Sequence, residues 1–237
     1  MSINALGRTE HGIGLSTGIS VHWAWLAGGF VMAFALPFLL ADVLAIDRDV
    51  FYGILAVAVL ALFLAWTRST GYELGRAVRR RWVLALGLGV ATASLLAVIV
   101  VRTEDATVHP DGVELVGAVL WRGVVYGATD GLLLSVYPIL VVFAAFAGSR
   151  LNDRLAGKVV IGAMALIASL AMTAIYHTGY SDFRSTKVVQ PLQGDAVWSV
   201  PTLVTLNPVG APLAHVGLHV SAVLHSYETD TFLPPHE

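Results

Sequence analysis

An all-α bundle of membrane-spanning helices, about six of them in a single integral membrane domain over residues 1–237, is the fold this sequence predicts. Three observations point there. Residues AVILMFWYC make up 57% of the chain and charged residues 13%, about half the share a soluble domain carries. The apolar residues gather into stretches long enough to cross a hydrocarbon core of ~30 Å as helices. The charges gather between those stretches, with the positive ones in alternate connections.

Residues 1–19 read as a short cytoplasmic tail, polar and Gly-rich, without the charged and apolar regions of a cleavable signal. Span one covers Ile19–Ala45 and opens on VHWAW, whose Trp23 and Trp25 suit a membrane interface. Span two, Val50–Trp66, leads into TRSTGYELGRAVRRR. This loop is the densest positive cluster of the chain, so it is expected in the cytoplasm. Span three, Trp82–Val101, ends at the acidic loop RTEDATVHPDGVE, expected outside. Leu115–Gly148 is too long for one upright helix and too short for two. It reads as one tilted helix bent near Pro138, with Gly127 and Gly131 permitting close helix contact. A positive loop, SRLNDRLAGK, precedes span five, Val159–His177.

The stretch 178–202 is expected to fold as an external lid over the bundle mouth, with Trp198 at the interface and Phe183 or Tyr180 inserted between helices. Span six, Leu203–His225, follows turn residues at Pro201, Asn207, Pro208 and Pro212. Residues 226–237 then form a second cytoplasmic tail. Both termini therefore fall in the cytoplasm of a multi-pass protein of the cell membrane. The net charge of −2 gives no sign of a nucleic-acid partner. Cysteine is absent, which excludes disulfides, thiolate ligands and a cysteine nucleophile.

Polar side chains at bilayer depth are costly, so they mark candidate sites. His215 and His219 are spaced i, i+4 and share one helix face. That spacing suits two imidazoles on one divalent metal, zinc first, and it equally suits two neutral histidines bonded to neighbouring helices. His177, at the end of span five, would supply a third ligand, since catalytic zinc keeps three protein ligands and an open position. A b-type haem held by His177 and one of the pair is a further option. Arg122, Tyr126 and Asp130 follow at i, i+4 and i+8 on one broad face of span four. Asp130 would orient or deprotonate a metal-bound water. Arg122 would pair with Asp130 or stabilise an oxyanion. His22 and His225 read as interfacial residues near the cytoplasmic ends of their spans; His11, His109 and His236 lie in polar segments.

The run LWRGVVYGATDGLLLS (Leu120–Ser135) resembles the tail of the first motif of CPBP intramembrane metalloproteases, the CAAX-protease and bacteriocin-processing family. HVGLH at His215–His219 is similar to that family's last motif. The resemblance implies a metal-dependent hydrolase acting on a membrane-embedded peptide or lipid. The family's paired glutamates are replaced here by Gly117 and Ala118, so Asp130 would substitute, or the chain would be inactive. Alkaline ceramidases and adiponectin-receptor-like proteins are similar in pairing a late-helix HxxxH with a histidine and an aspartate, but span two lacks their serine-histidine motif. A scaffold or accessory subunit of a membrane-protein complex is the rival expectation, its polar side chains only packing helices.

Overall fold

The computed structural model describes residues 18–229, so most of the first tail, the last eight residues of the second, His11 and His236 lie outside the described residues. As predicted, the protein is an all-α bundle; the described residues contain no strand. Helix α1 (Ile19–Leu36) continues through Pro37–Val43 as a π-helix. α2 (Arg48–Thr70) starts on Asp47, whose carboxylate accepts from the amides of Asp49 and Val50. This satisfies donors that a helix start leaves free. α2 stops at Gly71, which takes the left-handed conformation (φ 68°) that ends helices at low cost in glycine. A short α3 (Leu74–Arg79) precedes α4 (Trp82–Thr103).

The long segment Gly112–Ala145 forms one crossing. α5 (Gly112–Ala118), α6 (Gly127–Gly131) and α7 (Tyr137–Ala145) are joined by π-helical stretches at Val119–Tyr126 and Leu132–Val136. The second stretch leads directly into Pro138, the predicted bend. Proline lacks the N–H that would bond the carbonyl four residues back, at Leu134. Ser169 Oγ donates to that carbonyl instead, at 2.8 Å. α8 (Leu155–Thr178) completes the five helices long and apolar enough to cross a membrane among the described residues. The crossing 112–145 is central: 72% of its most apolar window is buried, against 22% for α4, whose outward Val83, Val90 and Val98 are exposed. Such a surface suits lipid rather than water.

The C-terminal third takes a different path from the one expected. Residues 181–188 make 3₁₀ turns beside the end of α1, held by Arg184 on Asp42 at 2.8 Å. α9 (Val189–Trp198) and α10 (Val200–Thr205) then run to the opposite end of the bundle. There Arg81 donates to the Val204 carbonyl, and the Asn207 amide donates to the carbonyls of Val78 and Arg80. α11 (Gly210–His225) returns, ending where His225 meets the Glu104 carbonyl after α4. Of the stretch expected to form a lid, only 178–188 stays at that end of the bundle, and the expected span Leu203–His225 divides at residues 206–209. Its last helix begins at Gly210, with Pro212 in the first turn. α11 ends opposite the Arg-rich loop, whereas α1 begins near it, with His22 accepting from Trp66 Nε1. The start of α1 and the end of α11 thus lie at opposite faces of the bundle, where one side was expected for both, and His225 sits opposite His22.

α11 is wedged between two partners by small residues. A Cβ on Gly131 would stand 2.6 Å from the Pro212 Cα, and one on Gly127 3.0 Å from the Val216 Cα. On the other flank, Gly89 sits against the Gly210 carbonyl and Gly217 against Ala93. The predicted close approach at Gly127 and Gly131 is thereby found, with α11 as the partner. This contact fixes the depth at which α11 meets Asp130.

Candidate metal centre

α6 offers Asp130 toward α11, whose i, i+4 spacing places His215 and His219 on the facing side. Asp130 Oδ2 lies 3.6 Å from His215 Nδ1 and 3.4 Å from His219 Nε2, and the three candidate ligand atoms fall within 4.8 Å of one another. All three side chains are buried. Donors bound at ~2.05 Å around a tetrahedral zinc stand about 3.3 Å apart, close to the two observed separations. Asp130 Oδ1 and all four imidazole nitrogens of His215 and His219 have no hydrogen-bond partner among the described residues. Buried polar atoms are normally satisfied, because leaving one unpaired costs roughly 1–3 kcal/mol. Five such atoms in one cluster suit a bound cation. Two carboxylate and imidazole donor types with no sulfur fit zinc or a similar divalent metal.

Aromatic rings hold the two imidazoles in place. Trp198 packs on His215 with ring centroids 4.5 Å apart, and Tyr126 meets His219 edge-on at 4.8 Å. Tyr126 itself stacks on Tyr52 at 3.9 Å, and its hydroxyl bonds that of Tyr176, which bonds that of Tyr180. Tyr126 thus touches the candidate metal centre through His219.

A cavity of about 430 Å³ opens beside the cluster, lined by Asp130, His219, His177 and Tyr126 at its polar end. Leu96, Ile99, Val197, Trp198 and Leu218 make much of the rest apolar. His177 belongs to the cavity wall and not to the three-residue ligand group. Its Nδ1 lies 2.8 Å from the Thr173 carbonyl. A carbonyl only accepts, so Nδ1 carries the hydrogen and Nε2 is left with a lone pair. Phe183, 5.0 Å from the ring, covers it, and Tyr180 is inserted among Phe51, Tyr176 and Phe183. Both rings are thus packed among others as expected of an inserted aromatic, whereas Trp198, buried on His215, departs from its expected place at the interface.

Arg122 is not Asp130's partner. Its guanidinium grips Asp49 through two 2.8 Å bonds and donates to the Tyr227 hydroxyl, clasping α2 and the segment after α11 to the fourth crossing. One turn separates Arg122 from Tyr126, so sharing a helix face with Asp130 over two turns does not bring the side chains together. Asp49 was missed because it lies in an acidic linker that reads as solvated. No family model, curated protein or solved structure matches this chain.

Proposed function

We propose that this protein is a metal-dependent intramembrane hydrolase, with Asp130, His215 and His219 holding a divalent metal, zinc first. The reading rests on a buried carboxylate and two imidazoles whose candidate ligand atoms, one from each residue, lie within 4.8 Å of one another, with Asp130 Oδ1 and the imidazole nitrogens otherwise unpartnered. Polar side chains that only packed helices would be bonded to the helices they touch. A metal bound there supplies an electrophile and lowers the pKa of a coordinated water.

The chain's own residues divide the remaining work. Asp130 serves as a ligand in place of the role of base. His177, on the same cavity with a free Nε2, accepts the proton that a nucleophilic water gives up. Tyr126 fixes the His219 ring. The apolar walls admit an amphiphile or a membrane-embedded peptide and exclude bulk water. Resemblance to CPBP metalloproteases supports the class, with the family's paired glutamates replaced and Arg122 acting as a clasp rather than on an oxyanion. The Arg-rich end faces the cytoplasm of the cell membrane, and α11 ends outside.

The test is turnover by the purified chain in nanodiscs of two fluorogenic probes, a quenched transmembrane peptide and a long-chain acyl ester. Hydrolysis of either one, abolished by a chelator, restored by Zn²⁺ and lost in Asp130→Asn, supports the proposal. No turnover of either probe by protein that carries its metal overturns the hydrolase reading.

A further inference from the structure

A second polar cluster lies away from the histidines, where α9 meets α8 and the fourth crossing. Asp195 Oδ1 accepts from Ser199 Oγ at 2.6 Å and lies 3.1 Å from Ser169 Oγ and 3.3 Å from Ser135 Oγ. Ser199 Oγ is also 2.8 Å from Ser135 Oγ and 2.9 Å from Ser169 Oγ. All four residues are fully buried. We propose that Asp195, Ser135, Ser169 and Ser199 form a binding site for a small monovalent cation, Na⁺.

Charge balance comes first. A lone carboxylate at this depth is not sustained without a compensating charge. Among the described residues, no lysine, arginine or histidine is paired with Asp195. The other carboxylate oxygen, Oδ2, has no hydrogen-bond partner, and neither does Thr173 Oγ1 one turn beyond Ser169 on the same helix face. A proton on Oδ1 would still leave Oδ2 unpartnered, and a proton on Oδ2 would meet no hydrogen-bond acceptor among the described residues. A cation needs no acceptor and uses the free lone pairs.

The ligand chemistry sets the class. The cluster offers one carboxylate, three hydroxyls and the nearby Leu134 carbonyl, with no nitrogen or sulfur donor, which suits a hard cation. A single negative charge balances a monovalent ion, whereas a divalent one would leave a net positive charge buried. The backbone is irregular at two of the four positions. Ser135 sits in the π-helical stretch Leu132–Val136, and Ser199 is the junction between α9 and α10. Such interruptions free the local backbone and frequently accompany binding sites inside membrane bundles. α9 carries both Asp195 and Trp198, so the ion would steady the helix whose tryptophan packs on His215.

The experiment is thermal unfolding of the full chain in nanodiscs, in NaCl against choline chloride at equal ionic strength. The midpoint should rise saturably with Na⁺, by about 5 °C well above half-saturation. Asp195→Asn, neutral and of the same shape, should abolish the response while the transition-metal content stays unchanged. Ser135→Ala keeps the charge and removes one ligand, so half-saturation should move to about tenfold higher Na⁺; this variant decides the matter if Asp195→Asn does not fold. Identical unfolding in Na⁺ and choline, or a Na⁺ response that survives Asp195→Asn or is unmoved by Ser135→Ala, overturns the proposal. So does a midpoint that follows pH and ignores Na⁺, which assigns the charge on Asp195 to a proton.

Discussion

At the scale of single residues, what a side chain meets matters more than the face it shares. Arg122 and Asp130 occupy one side of a helix, yet Arg122 bonds Asp49 and Tyr227, while Asp130 meets two histidines from α11. The Arg122–Asp49 pair is bidentate but half-open on the aspartate side, so solvent screens part of its worth. Arg122→Ala and Asp49→Ala should each lower stability by about 1–2 kcal/mol, and the double variant should lose less than their sum. Strictly additive losses in a detergent unfolding series would deny the coupling. His177→Ala gives a sharper contrast. It should leave the bound metal in place while abolishing turnover, because His177 lines the cavity without joining the ligand group. Loss of the metal in that variant would return His177 to the ligands. The sequence carried the identity of Asp130, His215 and His219, because a carboxylate and an HxxxH pair stand out in apolar helices. It could not carry the exchange of roles proposed for Asp130 and His177, which depends on how deep two non-adjacent helices pack.

At the scale of elements, the site depends on the approach of α11 to the fourth crossing. Gly123, Gly127 and Gly131 recur every four residues and form the floor on which α11 lies. Gly131→Ala drives a methyl group into the Pro212 backbone and should cost about 1–3 kcal/mol. Gly117→Ala, where nothing lies within 4 Å, should be neutral or slightly stabilising. Equal unfolding midpoints for the two variants would show that α11 does not pack so closely. The five long helices were plain in the sequence because each is a long apolar run. α9, α10 and α11 were misdivided because their crossings are short, and prolines fall on both sides of the true turn as well as within it. Pro201 and Pro212 lie inside helical first turns, where proline is tolerated, and only residues 206–209 break the chain.

At the scale of the whole molecule, the down-and-back path of α9–α10 and α11 sets which face carries the C-terminal end. The protein has no cysteine, so single cysteines at Ser69, Ser185 and Glu228, all exposed, report each connection cleanly. An impermeant thiol reagent applied to intact cells should label Ser185→Cys and Glu228→Cys and spare Ser69→Cys. Protection of Glu228→Cys together with Ser69→Cys would put the C-terminal end back on the Arg-rich side and contradict the path of α11.

Elemental analysis of the purified whole chain shows whether the histidine pair and Asp130 hold a metal. About one zinc or similar divalent ion per chain is expected. That ion should be lost in a folded His215→Ala, His219→Ala variant and in Asp130→Asn, and retained in His22→Ala. Metal-free wild-type protein that neither copurifies with nor takes up zinc, or a stoichiometry unchanged by removing both histidines, would contradict metal binding there.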